Sequence, residues 1–221
     1  LELVDTVAKV ETTVQKLKRQ KEISVDCEGN KLSREGTLDI LIIGTVNKHV
    51  YLFDITKMGA SAFDAGLRDL LESGSEVMTK LMYDCRSDSD ALMHLYDVKL
   101  AGVLDLQLIE SDSRRKKKQN YWFLNGLKKC IEVYDHDEGS ELTKKHGAEQ
   151  IEDAKVNGTT IWDKRPLSQD LKDYCAVDPV KLFSLLKVFK KKMVRKEMLE
   201  ASERYVDYYR SYETFPETKF Y

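Results

Sequence analysis

Three apolar runs rich in β-branched residues stand close together near the start of the chain, at residues 23–27, 38–45 and 49–55, with polar turns between them. Runs of this length and composition read as strands, and the middle one is so uniformly apolar that it must be covered on both faces. The pattern then changes. Helical spacing at 61–72 and 88–96 alternates with short apolar runs at 80–83 and 103–108, so a three-stranded antiparallel meander is followed by strands alternating with helices. That order predicts an α/β fold, a mixed sheet of three antiparallel strands and then parallel strands, flanked by helices. After residue 109 the strand signal ends. Residues 121–133, 140–154, 168–176 and 179–209 read as helices, 111–120 as a polar basic loop and 156–160 as a turn, which gives a helical C-terminal half. Pro179 suits the first turn of the last of these helices. Ahead of the first strand, Val7, Val10, Val14 and Leu17 mark an amphipathic helix within residues 5–20.

With 221 residues, the chain suits one domain with additions. We divide it into an N-terminal helix at 1–20, a domain at 21–192 and a C-terminal helical extension at 193–221. Charged residues at 33% against 42% hydrophobic exclude a fibrous or disordered chain, and no apolar run is long enough to span a membrane. The four cysteines lack C-x-x-C spacing and lie in apolar contexts, which points to reduced thiols in the cytoplasm or nucleus. The start lacks both an initiator Met and the regions of a signal peptide, so the chain is expected to be an excised segment whose targeting signals lie elsewhere. Net charge is −2, yet basic residues collect at 114–118 and 187–196. A local basic track beside an acidic centre is all that a nucleic-acid enzyme needs.

Acidic residues are set into apolar elements at three distant points. Asp26 and Glu28 flank Cys27 at the end of the first strand, and a period of two puts both carboxylates on one face. Asp88 follows the 80–83 strand and opens a helix, where a plain capping role explains it equally well. Tyr174 and Asp178 are four apart and share a helix face, although Pro179 argues for a break there. Each piece alone has an ordinary structural explanation. Together they set unpaired negative charge into an apolar setting, which divalent cations would neutralise.

In this order, D-x-E, then Asp88, then Tyr174-x-x-x-Asp178, the chain resembles the DEDDy branch of the DnaQ-like 3′-to-5′ exonucleases, with their RNase H-like fold. The flanks carry the likeness further: Glu28-Gly29, Gly36-Thr-Leu38, Val50-Tyr-Leu-Phe-Asp54-Ile, Leu104-Asp-Leu-Gln107 and Trp162-Asp-Lys-Arg165-Pro-Leu-Ser168. They look like the ribonuclease D and Werner-exonuclease group, especially its eukaryotic "3′-5′ exonuclease domain-containing" members, across residues 20–190. The resemblance implies a hydrolase acting on nucleic acid with a free 3′ end, RNA or single-stranded DNA, and releasing nucleoside 5′-monophosphates. It implies two Mg²⁺ or Mn²⁺ ions about 4 Å apart, one activating a water and the other stabilising the leaving 3′ oxygen. Asp26, Glu28, Asp88 and Asp178 are the implied ligands, with Asp26 bridging, and Tyr174 orients the attacking water. The chain departs from the family at Tyr83-Asp-Cys-Arg86 and at Pro179.

Expected substrate contacts are Leu32, Arg86, Arg114, Lys116 and Arg165. Arg86 has a second role open to it, an ion pair with Asp84 or Asp90. Tyr121 and Trp122 are wedge candidates with Leu32, though the commoner fate of Tyr121, Trp122 and Phe123 is helix core. Lys144 and Lys145 lie where such enzymes place a lysine, on a poor local match. The basic helix after 182 offers a surface for RNA or a protein partner. The rival function is a silent exonuclease fold that scaffolds RNA processing, but silent members lose carboxylates that this chain keeps. An integrase or resolvase has no evident need for Tyr174-x-x-x-Asp178.

Overall fold

The computed structural model describes residues 1–191 and 193–215, so the expected boundary at 192 and the last residues of the expected extension, 216–221, lie outside the described residues. Six strands form one sheet: β1 (Glu2–Val4), β2 (Glu22–Glu28), β3 (Ile40–Thr45), β4 (Val50–Asp54), β5 (Thr79–Met82) and β6 (Val103–Asp105), in the spatial order β1-β4-β3-β2-β5-β6. β2, β3 and β4 pair antiparallel, with Asp26 opposite Ile42 and Glu28 opposite Ile40. β5 joins β2 in parallel and β6 joins β5 in parallel. The mixed sheet is therefore the one the sequence pattern predicts. β1 is an addition, a three-residue parallel strand on the far edge of β4, too short to leave a periodic signal of its own.

Alternation along the strands sends side chains into two cores. On one face, Val25, Cys27, Leu41, Ile43 and Phe53 pack with Val10, Val14 and Leu17 of α1 (Val7–Leu17). The same core takes Leu70 and Leu71 from the broken helical run made of α2 (Ile55–Met58), α3 (Ala60–Ala62), a π-turn (Phe63–Leu67) and α4 (Arg68–Glu72), and Leu92 from α5 (Arg86–Tyr96). On the other face, Ile40, Ile42 and Leu52 meet Leu171 and Cys175 of α9 (Gln169–Phe189), while Leu81 and Leu104 meet its second half at Leu182, Leu185 and Leu186. Around α9 stand α6 (Leu106–Lys116), α7 (Leu127–Tyr134) and α8 (Glu138–Val156). The last helix, α10 (Arg195–Arg210), lies against α5 and β6. No described helix is long and apolar enough to cross a membrane.

Four expectations change. The strand expected at 103–108 stops at Asp105, whose carboxylate accepts the Gln107 N–H and turns the chain into α6. Residues 111–116 continue that helix instead of forming a loop: Leu106, Ile109 and Ser113 are its buried face, and the basic run fills its last turn, where cations complement the helix dipole. Residues 121–126 are not helical, so α7 starts only at Leu127. Pro179 sits buried inside one uninterrupted α9, not at a first turn, and the helix expected to run from 179 to 209 ends at Phe189 before α10 begins. The proline removes one N–H donor from the helix ladder, yet it is held by close packing on the sheet. A side chain at Gly44 of β3 would come within 2.8 Å of Pro179 Cβ, so glycine is what lets α9 lie this near.

Candidate active site

The first two carboxylates come from β2. Because Val25 and Cys27 enter the α1 side of the core, Asp26 and Glu28 project toward α9, where both raise the Cys175 thiol electrostatically after burial has done so. Behind Glu28, its carbonyl accepts the Asp39 N–H at 2.8 Å, and the Asp39 carboxylate takes hydrogen bonds from Thr37 and Thr56 Oγ1 at 2.5 and 2.8 Å. The strand end is thus fixed by its own return loop.

Asp88 is delivered by the turn between β5 and α5. Asp84 there adopts φ 60°, and the backbone N–H groups of Asp84 and Cys85 donate to the buried Asp105 carboxylate at 3.2 and 2.9 Å. Burial outweighs those donors and pushes Asp105 up to about 6. The Asp105 N–H is itself bound by Ser202 Oγ of α10 at 2.9 Å, so the C-terminal helix braces the turn that carries Asp88.

Tyr174 and Asp178 lie one helical turn apart on α9. Across them stands Lys144 of α8, its ammonium donating to Asp178 Oδ2 and sitting 4.1 Å from the Tyr174 ring centroid. Gly147 allows this approach, since a Cβ there would lie 2.5 Å from Tyr174 Cβ. Burial alone would lower the lysine's pKa, but Asp178 and Tyr174 overcome it and hold the ammonium charged. Between α7, α8 and α9 a cleft of about 600 Å³ runs from Tyr174 and Asp178 to Lys128.

The carboxylates act on one another. Burial, then the charge of Asp178, pushes Asp26 up to about 7, with Lys144 pulling the other way. Burial, then Asp26, raises Glu28 and Asp88 well above the usual carboxylate range. Burial, then Glu28, raises the Tyr174 phenol, which stays protonated. Asp26, Glu28 and Asp88 cannot all ionise without added positive charge. Among the described residues, Asp88 Oδ1 and Asp178 Oδ1 are buried with no hydrogen-bond partner. Hard oxygen donors with unused lone pairs fit Mg²⁺ or Mn²⁺ in kind. The side chains are not drawn together, however: no three His, Cys, Asp or Glu among the described residues stand close enough to hold an ion, and Lys144 supplies the counter-charge at Asp178.

The expected substrate contacts lie apart from this group. Leu32 packs, half-buried, on the α1 side of the core. Arg86 is 3% exposed, forks onto Asp84 at 2.6 and 3.0 Å and lies under the rings of Tyr205 and Tyr209 at 4.7 and 5.1 Å. Arg114 is buried on Glu110, and Lys116 pairs with Asp112 at 2.7 Å. Arg165 forks onto Asp54, both contacts at 2.6 Å, and donates to the Trp162 and Lys164 carbonyls, which fastens the segment before α9 to the end of β4. Tyr121, Trp122 and Phe123 do not enter a helix core: Trp122 is 78% and Phe123 64% exposed. Sequence reasoning quoted Asp105 only as part of the Leu104–Gln107 flank, without a role, and held Lys144 only weakly. A lone Asp at a strand end and a lysine on a polar helix carry no local mark of their positions.

A mixed sheet with D-x-E at a strand end, a helix-borne Asp and a Tyr-x-x-x-Asp helix laid across it defines a DnaQ-like domain of the RNase H-like superfamily, DEDDy type. Residues 1–194 match the family model described as 3'-5' exonuclease, and the chain belongs to that family. Among curated relatives, the piRNA biogenesis protein EXD1 of Bombyx mori is 30% identical over 202 residues, which is 91% of this chain and 60% of the relative; the chain thus spans under two thirds of that protein. Among solved structures, RNase D of Trypanosoma brucei matches in complex with GMP (TM-score 0.77, 23% identity, 98% of this chain and 66% of that one) and with RNA U12 (0.72, 22%, 98% and 72%). Brucella melitensis NrnC with bound Mg²⁺ matches at 0.59, with 17% identity over 94% of this chain and 87% of that one. At these identities the solved structures establish the fold.

Proposed function

We propose that this chain is a metal-dependent 3′-to-5′ exonuclease that hydrolyses the terminal phosphodiester bond of RNA or single-stranded DNA and releases nucleoside 5′-monophosphates. The observation that carries this reading is the electrostatic coupling of Asp26 and Glu28 to Asp178 and of Asp88 to Asp26, beside two buried carboxylate oxygens that no protein donor satisfies. Two divalent cations, when bound, lower the pKa of a water and offset charge on the departing 3′ oxygen. Asp26, Glu28, Asp88 and Asp178 would hold them. The Tyr174 phenol, protonated at any working pH, donates a hydrogen bond that orients the water, and a Glu28 carboxylate oxygen takes up its proton. The RNA and GMP complexes of the structurally similar RNase D, and the Mg²⁺ on NrnC, support the choice of ligand and ion. We also place the protein inside the cell, in cytoplasm or nucleus, because all four cysteines are free and buried.

Two observations favour the silent-scaffold reading: Lys144 already neutralises Asp178, and the curated relatives are named for piRNA biogenesis and not for cleavage. In that reading α10, whose basic and acidic side chains balance, contacts a protein partner. A 5′-labelled oligonucleotide incubated with Mg²⁺ or Mn²⁺ decides between them. Stepwise shortening by the wild type and none by Asp26→Asn supports the exonuclease. A folded protein that binds RNA tightly and cuts with neither ion is the scaffold.

A further inference from the structure

We propose that the loop between α6 and α7 is a stacking platform for single-stranded nucleic acid upstream of the 3′ terminus, with Trp122 as its base-contacting ring. Trp122 and Phe123 are among the most exposed large apolar side chains in the structure, and the Tyr121 and Trp122 rings stack on each other, centroids 5.0 Å apart at 21°. Two adjacent aromatic faces left to water mark a contact surface, since burial is the ordinary fate of rings this large.

The loop is held from beneath. Arg114, itself fixed by Glu110, donates to the carbonyls of Asn120 and Phe123, the latter at 2.8 Å. Asn125 Nδ2 donates to the same Glu110 at 3.0 Å, while its carbonyl accepts from Tyr83 Oη at 2.9 Å and Gln107 Nε2 at 3.1 Å. The buried arginine therefore works as the loop's anchor. A surface fastened in this way loses little conformational entropy when it binds.

Charge selects the occupant. Lys117, Lys118, Lys128 and Lys129 flank the loop, Lys129 also reaching Glu132 at 3.2 Å, while Arg114 is taken by Glu110 and Arg115 and Lys116 by Asp112. Exposed aromatic rings within a basic segment match the paired needs of a single strand, bases for the rings and phosphates for the cations. Position agrees. The cleft at Asp178 is also lined by Lys128, in the first turn of α7 directly after the loop, and its wall mixes Glu132, Glu141, Glu149 and Glu152 with Lys145 and with Lys144, which Asp178 holds. The loop and its flanking lysines extend that lining away from Asp178, toward the upstream strand. Base stacking distinguishes strandedness, not sugar, so the platform accepts RNA and DNA single strands alike and rejects duplex.

This deepens the exonuclease reading and rests on its ligand class, but it is tested without cleavage. The chain has two tryptophans, and Trp162 is 4% exposed in the core, so emission quenched by iodide reports Trp122. Titration in EDTA with 12-nucleotide oligo-U or oligo-dT is expected to protect that emission, and duplex of the same length is not. Trp122→Ala, at a site too exposed to affect folding, is expected to weaken binding of a labelled oligonucleotide by about five- to a hundredfold. A bound single strand that leaves iodide quenching unchanged, an unweakened Trp122→Ala, or protection by self-association seen in sedimentation without oligonucleotide would each overturn the platform. Protection in a protein that never cuts overturns only the exonuclease reading, and cleavage with Trp122 untouched overturns only the platform.

Discussion

The Lys144 ammonium rests on the Asp178 carboxylate, a protein cation at the place where carboxylate charge is most concentrated. Removing it leaves Asp178 facing Asp26 and Glu28 with nothing to offset them. Lys144→Met is expected to cost about 1–3 kcal/mol in EDTA, the range for a charged hydrogen bond, or several degrees in melting temperature. Saturating Mg²⁺ should close most of that gap by taking over the lysine's role, so the variant gains more from the ion than wild type does. Thermal unfolding with EDTA and with Mg²⁺ measures both, and equal melting temperatures in EDTA would remove Lys144 from this account.

Asp26 makes metal-free stability depend on pH. Its folded value of about 7 lies above the ordinary 3.8, so the folded chain binds a proton more tightly than the unfolded one. Its contribution is complete below about pH 4 and is lost as pH rises through 7. Between pH 5 and 7.5 the metal-free protein should therefore lose stability, by of the order of 1 kcal/mol per pH unit at the steepest point. Asp26→Asn should make the slope shallower, Glu28 and Asp88, raised in the same way, keeping the rest of it. Denaturant midpoints across that range, in EDTA, check it; wild type and Asp26→Asn with the same slope would show that Asp26 titrates normally.

Helix packing behind the site depends on missing side chains. Gly147→Ala sets a methyl group 2.5 Å from Tyr174 Cβ, and Gly44→Ala sets one 2.4 Å from Ser24 Oγ and 2.8 Å from Pro179 Cβ. Overpacking of this kind costs about 1–3 kcal/mol and shifts α8 or α9. Gly139→Ala, also on α8, meets nothing closer than Asp137 Oδ1 at 3.5 Å and should be neutral or stabilising by up to about 1 kcal/mol. Urea unfolding of the three variants makes the comparison, and Gly147→Ala behaving like Gly139→Ala would sink it.

The strands and the acidic motifs were legible because their signals are periodic and local. Residues 23–55 show strand composition, and D-x-E on a strand or Tyr-x-x-x-Asp on a helix fixes which side chains share a face. Helix boundaries were less legible. Asp105 ends β6 through one side-chain hydrogen bond, and Pro179 stays inside α9 because Gly44, 135 residues earlier, leaves room for it. The surroundings of the site were hidden for the same reason: the contacts of Lys144 with Asp178, Asp105 with the Asp84 turn and Arg165 with Asp54 span 34, 21 and 111 residues. Exposure of Trp122 was hidden too, since an aromatic triplet beside a helix ordinarily reads as core.

Arg165 separates a structural role from a phosphate contact. Its fork on Asp54 holds the Trp162–Leu167 segment against β4 and so places the start of α9, and with it Tyr174. Asp54 is 2% exposed and also caps α2 by accepting the Lys57 N–H at 3.0 Å, so it cannot turn to water if the arginine is lost. Arg165→Ala should cost about 3–5 kcal/mol by leaving a buried charge unpaired, and Arg165→Lys should recover only part because an ammonium cannot fork. Asp54→Asn combined with Arg165→Ala should cost less than the two single changes added together. A phosphate contact predicts the opposite pattern: unchanged unfolding, weaker oligonucleotide binding and a shallower dependence of that binding on salt. Urea unfolding of the double-mutant cycle, with salt titrations of binding on the same proteins, distinguishes the two.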